Sequence, residues 1–137
     1  MNATRRVTVF FACVGNSGRS QIAEGFARAI GGDRVVVKSG GSVPAGRVSQ
    51  KAVEVMREKG IDLSRHHSKA IDEDFVRAAD VVVTMGCGDD ACPAFIGKPL
   101  VDWALPDPKG RDVAFYRQVR DDIERRVRAL LAERGVA

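Results

Sequence analysis

The stretch "CVGNSGRS" places Cys13 six residues ahead of Arg19, with Val14, Gly15, Asn16, Ser17 and Gly18 between them. A thiol and a guanidinium at that spacing suit one kind of chemistry. Gly15, Asn16 and Gly18 tolerate positive φ, which lets successive backbone N–H groups turn inward as an anion nest. A helix opening at the rim adds the positive end of its dipole. Arg19 can fork onto two oxygens of a tetrahedral anion. The same positive field favours a thiolate over a thiol. Residues Val14, Gly15, Asn16, Ser17, Gly18 and Arg19 are therefore the candidate oxyanion-binding set, with Cys13 the candidate nucleophile at its centre. Ser20 has two candidate roles: capping the helix within "SQIAE", or donating a hydrogen bond to the Cys13 sulfur.

Expelling an oxygen from phosphorus or arsenic requires a proton as the bond breaks. "VDWALPDPKG" offers Asp107, held between two prolines that limit its motion, as the general acid. Trp103 is close enough in sequence to shield that carboxyl from water.

The chain has three cysteines, and the other two, Cys87 and Cys92, flank "GDDA" in "MGCGDDACP". An odd count does not suit a structural disulfide framework. Joined with His66 and His67 the pair could ligate zinc, but the spacing lacks the close ligand pairs of structural zinc sites. In a phosphatase these thiols would be idle. In a redox enzyme they form a relay: Cys87 attacks the sulfur of a Cys13 adduct, and Cys92 then attacks Cys87 and carries the disulfide outward. Cα atoms about 4.4–6.8 Å apart are needed for a disulfide, closer than a helical segment would hold residues five apart. Gly86 and Gly88 ease the unwinding this demands, so residues 86–97 are expected to move during the relay.

These residues need a scaffold that gathers them. "RVTVFFA", "RVVVKS", "VVVTM" and "KPLVDW" read as strands, short and rich in β-branched or aromatic residues. Helices are expected from Ser20 to Ile30, after Ser49 as N-cap up to Gly60, over "IDEDFVRAAD", and from Val113 to Arg134 with an apolar stripe through Tyr116, Val119, Ile123, Val127 and Leu130. This alternation predicts a single α/β domain spanning residues 1–137, with a parallel sheet and helices on both faces. Ligands in such sheets bind at the carboxyl ends of the strands, where Cys13, Cys87 and Asp107 fall.

The loop, together with "QIAEGFAR", "GIDLSRHHSK", "ADVVVTMGCGDDACP" and "DWALPDP", resembles the arsenate reductases of the low-molecular-weight tyrosine-phosphatase fold over nearly the whole chain. Gln21 stands where phosphatases of this fold usually carry proline, and Lys109 and Gly110 follow the Asp-Pro pair where they usually carry tyrosine. The resemblance implies a flavodoxin-like three-layer sandwich with a four-stranded parallel sheet in the order 2-1-3-4. It implies Cys13 as nucleophile, Arg19 as oxyanion clamp, Asp107 as general acid, and Cys87 and Cys92 as resolving thiols. Arsenate is the implied substrate, phosphate and sulfate the competing anions, and thioredoxin the expected electron donor. A low-molecular-weight thiol is the alternative, since "MGCGDDACP" also resembles mycothiol-coupled forms; a tyrosine phosphatase is the other alternative. No cofactor is expected. In some members a potassium ion beside the loop is held partly by an aspartate. The matching position is Lys69, whose ammonium can replace the cation and pair with Glu24, so no potassium requirement is expected.

Composition fits a monomeric cytoplasmic enzyme. Hydrophobic residues make up 45% of the 137-residue chain and no apolar run approaches the length of a membrane span. No stretch reads as a signal peptide, because the apolar run of "MNATRRVTVFFACVG" leads straight into turn residues. The net charge of +4 is spread among acids, largely along the last helix, with no aromatic residues interleaved for nucleic-acid stacking.

Overall fold

The segment "VTVFFAC" has no polar alternation, because both its faces are covered. Every residue of β1 (Val7–Cys13) except Thr8 is buried in the computed structural model, which describes residues 6–85 and 100–136. The chain continues through α1 (Arg19–Gly31), β2 (Val35–Gly41), α2 (Gln50–Arg57), α3 (Glu73–Ala78), β3 (Val81–Thr84), β4 (Leu100–Asp102) and α4 (Val113–Glu133). The four strands are all parallel, in the order β2-β1-β3-β4. This is the α/β sheet and strand order expected from the sequence.

The pleat of β1 divides the core. Val9, Phe11 and Cys13 face a large apolar layer built with α1, α2 and α4, in which Trp103 packs on Phe11 at a ring-centroid distance of 5.9 Å. Phe10 and Ala12 face a smaller layer with Val76, Ala79 and Val82 beneath α3. The stripe expected on α4 is buried through Tyr116, Val119, Ile123, Val127 and Leu130. The Glu58 carboxylate at the end of α2 bonds Arg117 at 2.8 Å and Arg120 at 2.6 Å, fastening α2 to α4. These bonds, first that from Arg117, hold its pKa down at about 2.

Element boundaries differ where side-chain patterns are silent. The helix expected over residues 71–80 spans only Glu73–Ala78; Asp72 caps it by accepting from Phe75 N at 3.0 Å. Strand β2 runs past Ser39 through Gly40 and Gly41. A Cβ at Gly40 would lie 2.7 Å from the Ala70 carbonyl oxygen, and one at Gly41 would lie 2.4 Å from that of Val14. Only glycine lets the segments on either side approach so closely, and the register sets Gly41 beside Cys13. Among the described residues, no helix is long and apolar enough to cross a membrane.

Candidate active site

The loop after β1 is shaped by where its carbonyls go. Cys13 O accepts from Ser42 N at 3.2 Å, Val14 O from Val43 N at 2.9 Å, Gly15 O from Ala45 N at 2.9 Å, and Ser17 O from Ser49 N at 2.8 Å. Asn16 O accepts from Gln21 Nε2 at 3.2 Å. In a planar trans peptide the N–H points opposite the C=O. Fixing these five carbonyls outward therefore turns the N–H groups of residues 14–18 toward the loop's interior, and Asn16 N donates to Cys13 Sγ at 3.3 Å. The strap of residues 42–49 fixes four of the five, Gln21 the other, and it has no catalytic side chain to announce it; Gly41, whose missing side chain lets the start of the strap lie against the loop, was its only trace in the sequence.

Three local features depart from the sequence-based expectation. Of the three loop residues expected to allow positive φ, Gly15, Asn16 and Gly18, only Asn16 adopts it, at 49°. Gly18 instead forms the N-cap of α1 at φ −130°. Ser20 does not cap the helix, because α1 already begins at Arg19. Its hydroxyl takes the other place expected of it, 2.8 Å from Cys13 Sγ, and accepts from Asn16 Nδ2 at 2.7 Å. Trp103 does not shield Asp107: the indole is buried against Phe11, whereas the Asp107 side chain is 57% exposed.

Arg19 is 6% exposed, and its guanidinium crosses from the loop to the β4–α4 connection. Nη1 donates to the Leu105 carbonyl at 3.2 Å, and Nη2 lies 3.6 Å from Asp107 Oδ2. Asp107 Oδ1 accepts from Lys109 N at 3.0 Å, so its own turn orients the carboxylate. Cys13, the loop, Arg19 and Asp107 thus line one cleft of about 810 Å³.

Behind the loop is a polar network of which the sequence revealed only the Lys69–Glu24 pair. Asn16 Nδ2 donates to Ser39 Oγ at 3.0 Å, and Ser39 Oγ donates to Glu24 Oε1 at 2.5 Å. Glu24 is paired with Arg28 at 3.0 Å and with Lys69 at 3.7 Å, the second being the pairing expected of Lys69. Lys69 Nζ also donates to Ser39 Oγ at 3.3 Å. Ser39 carried no signal, since one serine at a strand end resembles any other. Cys87, Cys92 and the segment expected to unwind lie outside the described residues, and so does any grouping of those thiols with His66 and His67.

The pattern described as "Low molecular weight phosphotyrosine protein phosphatase" matches residues 8–135. The chain belongs to this family. Within it, an arsenate reductase of Staphylococcus haemolyticus is 43% identical over 121 residues, covering 85% of this chain and 90% of that protein. The solved structure of a thioredoxin-dependent arsenate reductase from Corynebacterium glutamicum superposes with a TM-score of 0.82 at 37% identity; the match covers 96% of this chain and 63% of that one. An arsenate reductase solved in a phosphate-binding state aligns with a TM-score of 0.83 at 34% identity, covering 96% of this chain and 99% of the other.

Proposed function

We propose that this protein reduces arsenate to arsenite, using Cys13 as nucleophile and thioredoxin as electron donor. The observation that carries the proposal is the Cys13 sulfur lying among inward-turned amides, with Asn16 N at 3.3 Å and Ser20 Oγ at 2.8 Å, in the cleft that also holds Arg19 and Asp107. The phosphate-bound arsenate reductase of the same fold supports the loop as a tetrahedral oxyanion site. The similarity to proteins named arsenate reductases over most of the chain supports the substrate.

In this mechanism arsenate sits on the amides of residues 14–18 and on Arg19. The Cys13 thiolate attacks arsenic, and an arsenate oxygen leaves as water after taking a proton from Asp107. Ser20 and the Asn16 N–H stabilise the sulfur before attack. Cys87, as thiolate, then attacks the Cys13 sulfur. The electron pair of the As–S bond stays on arsenic, which departs as arsenite, and a Cys13–Cys87 disulfide remains. Cys92 exchanges onto Cys87 and frees Cys13, and the Cys87–Cys92 disulfide is reduced by thioredoxin.

The test is arsenate-dependent NADPH oxidation with thioredoxin and its reductase, run beside the same assay with mycothiol or glutathione. A Cys87→Ser variant should complete no more than one turnover with thioredoxin. Multiple turnover by that variant would sink the intramolecular relay, and turnover supported only by a small thiol would assign the donor to that class. An aryl phosphate assayed in parallel separates reductase from phosphatase, since the same loop must bind phosphate.

Lys69 already supplies a positive charge to Glu24 and Ser39. Exchanging sodium for potassium at constant ionic strength should therefore change kcat/KM by less than about twofold, because a site occupied by an ammonium gains nothing from a second cation. A steep rise with potassium alone would contradict the substitution of Lys69 for the ion.

A further inference from the structure

His66 is half-buried beside α1, and its ring is joined to the anion loop through a single side chain, Gln21. The Gln21 amide is fully buried, and the partners at one of its ends leave no choice of orientation. That end meets three oxygens: the His67 carbonyl at 2.8 Å, Asn16 Oδ1 at 3.0 Å and the Asn16 carbonyl at 3.2 Å. Two are backbone acceptors. The third is fixed as oxygen because Asn16 Nδ2 donates to the hydroxyls of Ser20 and Ser39, while Oδ1 accepts from Lys69 N at 3.0 Å. Only an NH₂ group can face three oxygens, one of its two hydrogens being shared between the two Asn16 oxygens, so Gln21 Oε1 must face His66. There it lies 2.9 Å from Nδ1, which must carry the hydrogen.

We propose that His66 is a positioning residue for the oxyanion loop, its Nδ1–H locking the Gln21 amide in the orientation that holds Asn16 in its left-handed conformation. The inference rests on the loop being an oxyanion site, as proposed above. Asn16 is the one non-glycine residue with positive φ among the described residues. A conformation of that kind persists only where its surroundings over-determine it, and Gln21 supplies two of the bonds that do so. The same residue's N–H reaches the Cys13 sulfur, and its Nδ2 reaches the Ser20 hydroxyl that touches that sulfur. Without the Nδ1–H, Oε1 is a buried acceptor with no donor, and an amide flip would set oxygen against three oxygens.

The ring's charge state is compatible with this role. Desolvation lowers the His66 pKa, opposed by Glu24 on α1 and Asp62 in the α2–α3 connection, and aided by Arg28 and Lys69. Arg57 of α2 lines the same small cavity as the ring. At neutral pH the imidazole is therefore neutral, with its one hydrogen on Nδ1. Protonation would add a hydrogen at Nε2 and leave the bond to Gln21 in place, so the clamp is not a pH switch.

Two substitutions separate positioning from packing. His66→Phe keeps a ring and removes the donor, whereas His66→Asn offers an N–H near the position of Nδ1. Phosphate affinity by titration calorimetry, KM and kcat for arsenate, and thermal midpoints are measured for both. His66→Phe should weaken phosphate binding about tenfold and raise the arsenate KM by a similar factor, the expected consequence of a buried acceptor left unpaired. His66→Asn should restore most of that loss. In a Gln21→Met background, which is usable even if His66→Phe folds poorly, His66→Asn should bind phosphate no better than Gln21→Met alone. A His66→Phe variant within twofold of wild type, or a His66→Asn variant as impaired as His66→Phe, overturns the proposal. Failure of the wild-type protein to bind phosphate would instead overturn the oxyanion site itself, and this inference with it.

Discussion

A Cys13→Ser variant is expected to bind phosphate within a few-fold of the wild-type affinity and to show no arsenate-dependent NADPH oxidation above blank. The two results follow from different parts of the site. Anion affinity resides in the amides of residues 14–18 and in Arg19, and a serine hydroxyl can accept from Asn16 N much as the sulfur does at 3.3 Å. Turnover cannot begin without the sulfur. A serine hydroxyl is essentially un-ionised at neutral pH and is a weak nucleophile without an adjacent base. Ser20 offers no such base, and no histidine is hydrogen-bonded to Cys13 among the described residues. Even an ester formed on serine would stop there, because oxygen cannot accept the Cys87 thiolate as a disulfide partner and the electron pair would never pass to arsenic. The loss should exceed about four orders of magnitude, the scale seen when a nucleophile is removed and the rest of a site survives. Calorimetry and the coupled assay on the same preparation make the check. Residual multiple turnover would mean that another thiol begins the reaction.

What could be read in the sequence follows from how local each feature is. The Cys13–Arg19 loop was legible because its chemistry depends on residue types and spacing within eight positions of one another. The parallel α/β sheet emerged from apolar runs alternating with helical periodicity, whereas its strand order was legible only through the family resemblance. The strap of residues 42–49 was not legible, since it acts through backbone N–H groups that any residue except proline carries. Its presence was implied only by Gly41, whose missing side chain leaves room for the Val14 carbonyl 2.4 Å from a would-be Cβ. Ser20 could be narrowed to two roles but not decided, because the decision turns on whether α1 begins at Arg19 or at Gln21. Gln21 was marked by its contrast with proline in related phosphatases, yet its bond to His66 joins residues 45 apart that no local pattern connects.

Distance also explains why Asp107 reaches the site. The β4–α4 connection is a separate loop, and Arg19 ties the two together from inside. Nη1 holds the Leu105 carbonyl and Nη2 approaches Asp107 Oδ2, so one guanidinium joins the anion loop to the connection that carries the proposed acid.

This double attachment makes Arg19→Lys the substitution with the second largest expected effect. A lysine keeps the charge but offers a compact ammonium instead of a planar fork. It cannot meet the Leu105 carbonyl, the Asp107 carboxylate and two anion oxygens from one point. Loss of a preorganised oxyanion donor alone costs about a hundred- to a thousandfold in rate. Arg19 is 6% exposed, so the Leu105 carbonyl would also be left without its donor in a largely dry setting. The expected result is a fall in kcat/KM for arsenate of about three orders of magnitude, shared between a higher KM and a lower kcat, with phosphate affinity falling in parallel. A loss confined to KM would mean that Arg19 only attracts the anion. A loss under about fivefold would mean that charge alone suffices and that the fork geometry at 3.2 and 3.6 Å carries no catalytic consequence. Steady-state kinetics with arsenate as the varied substrate, beside phosphate titration of the same variant, distinguishes the three outcomes.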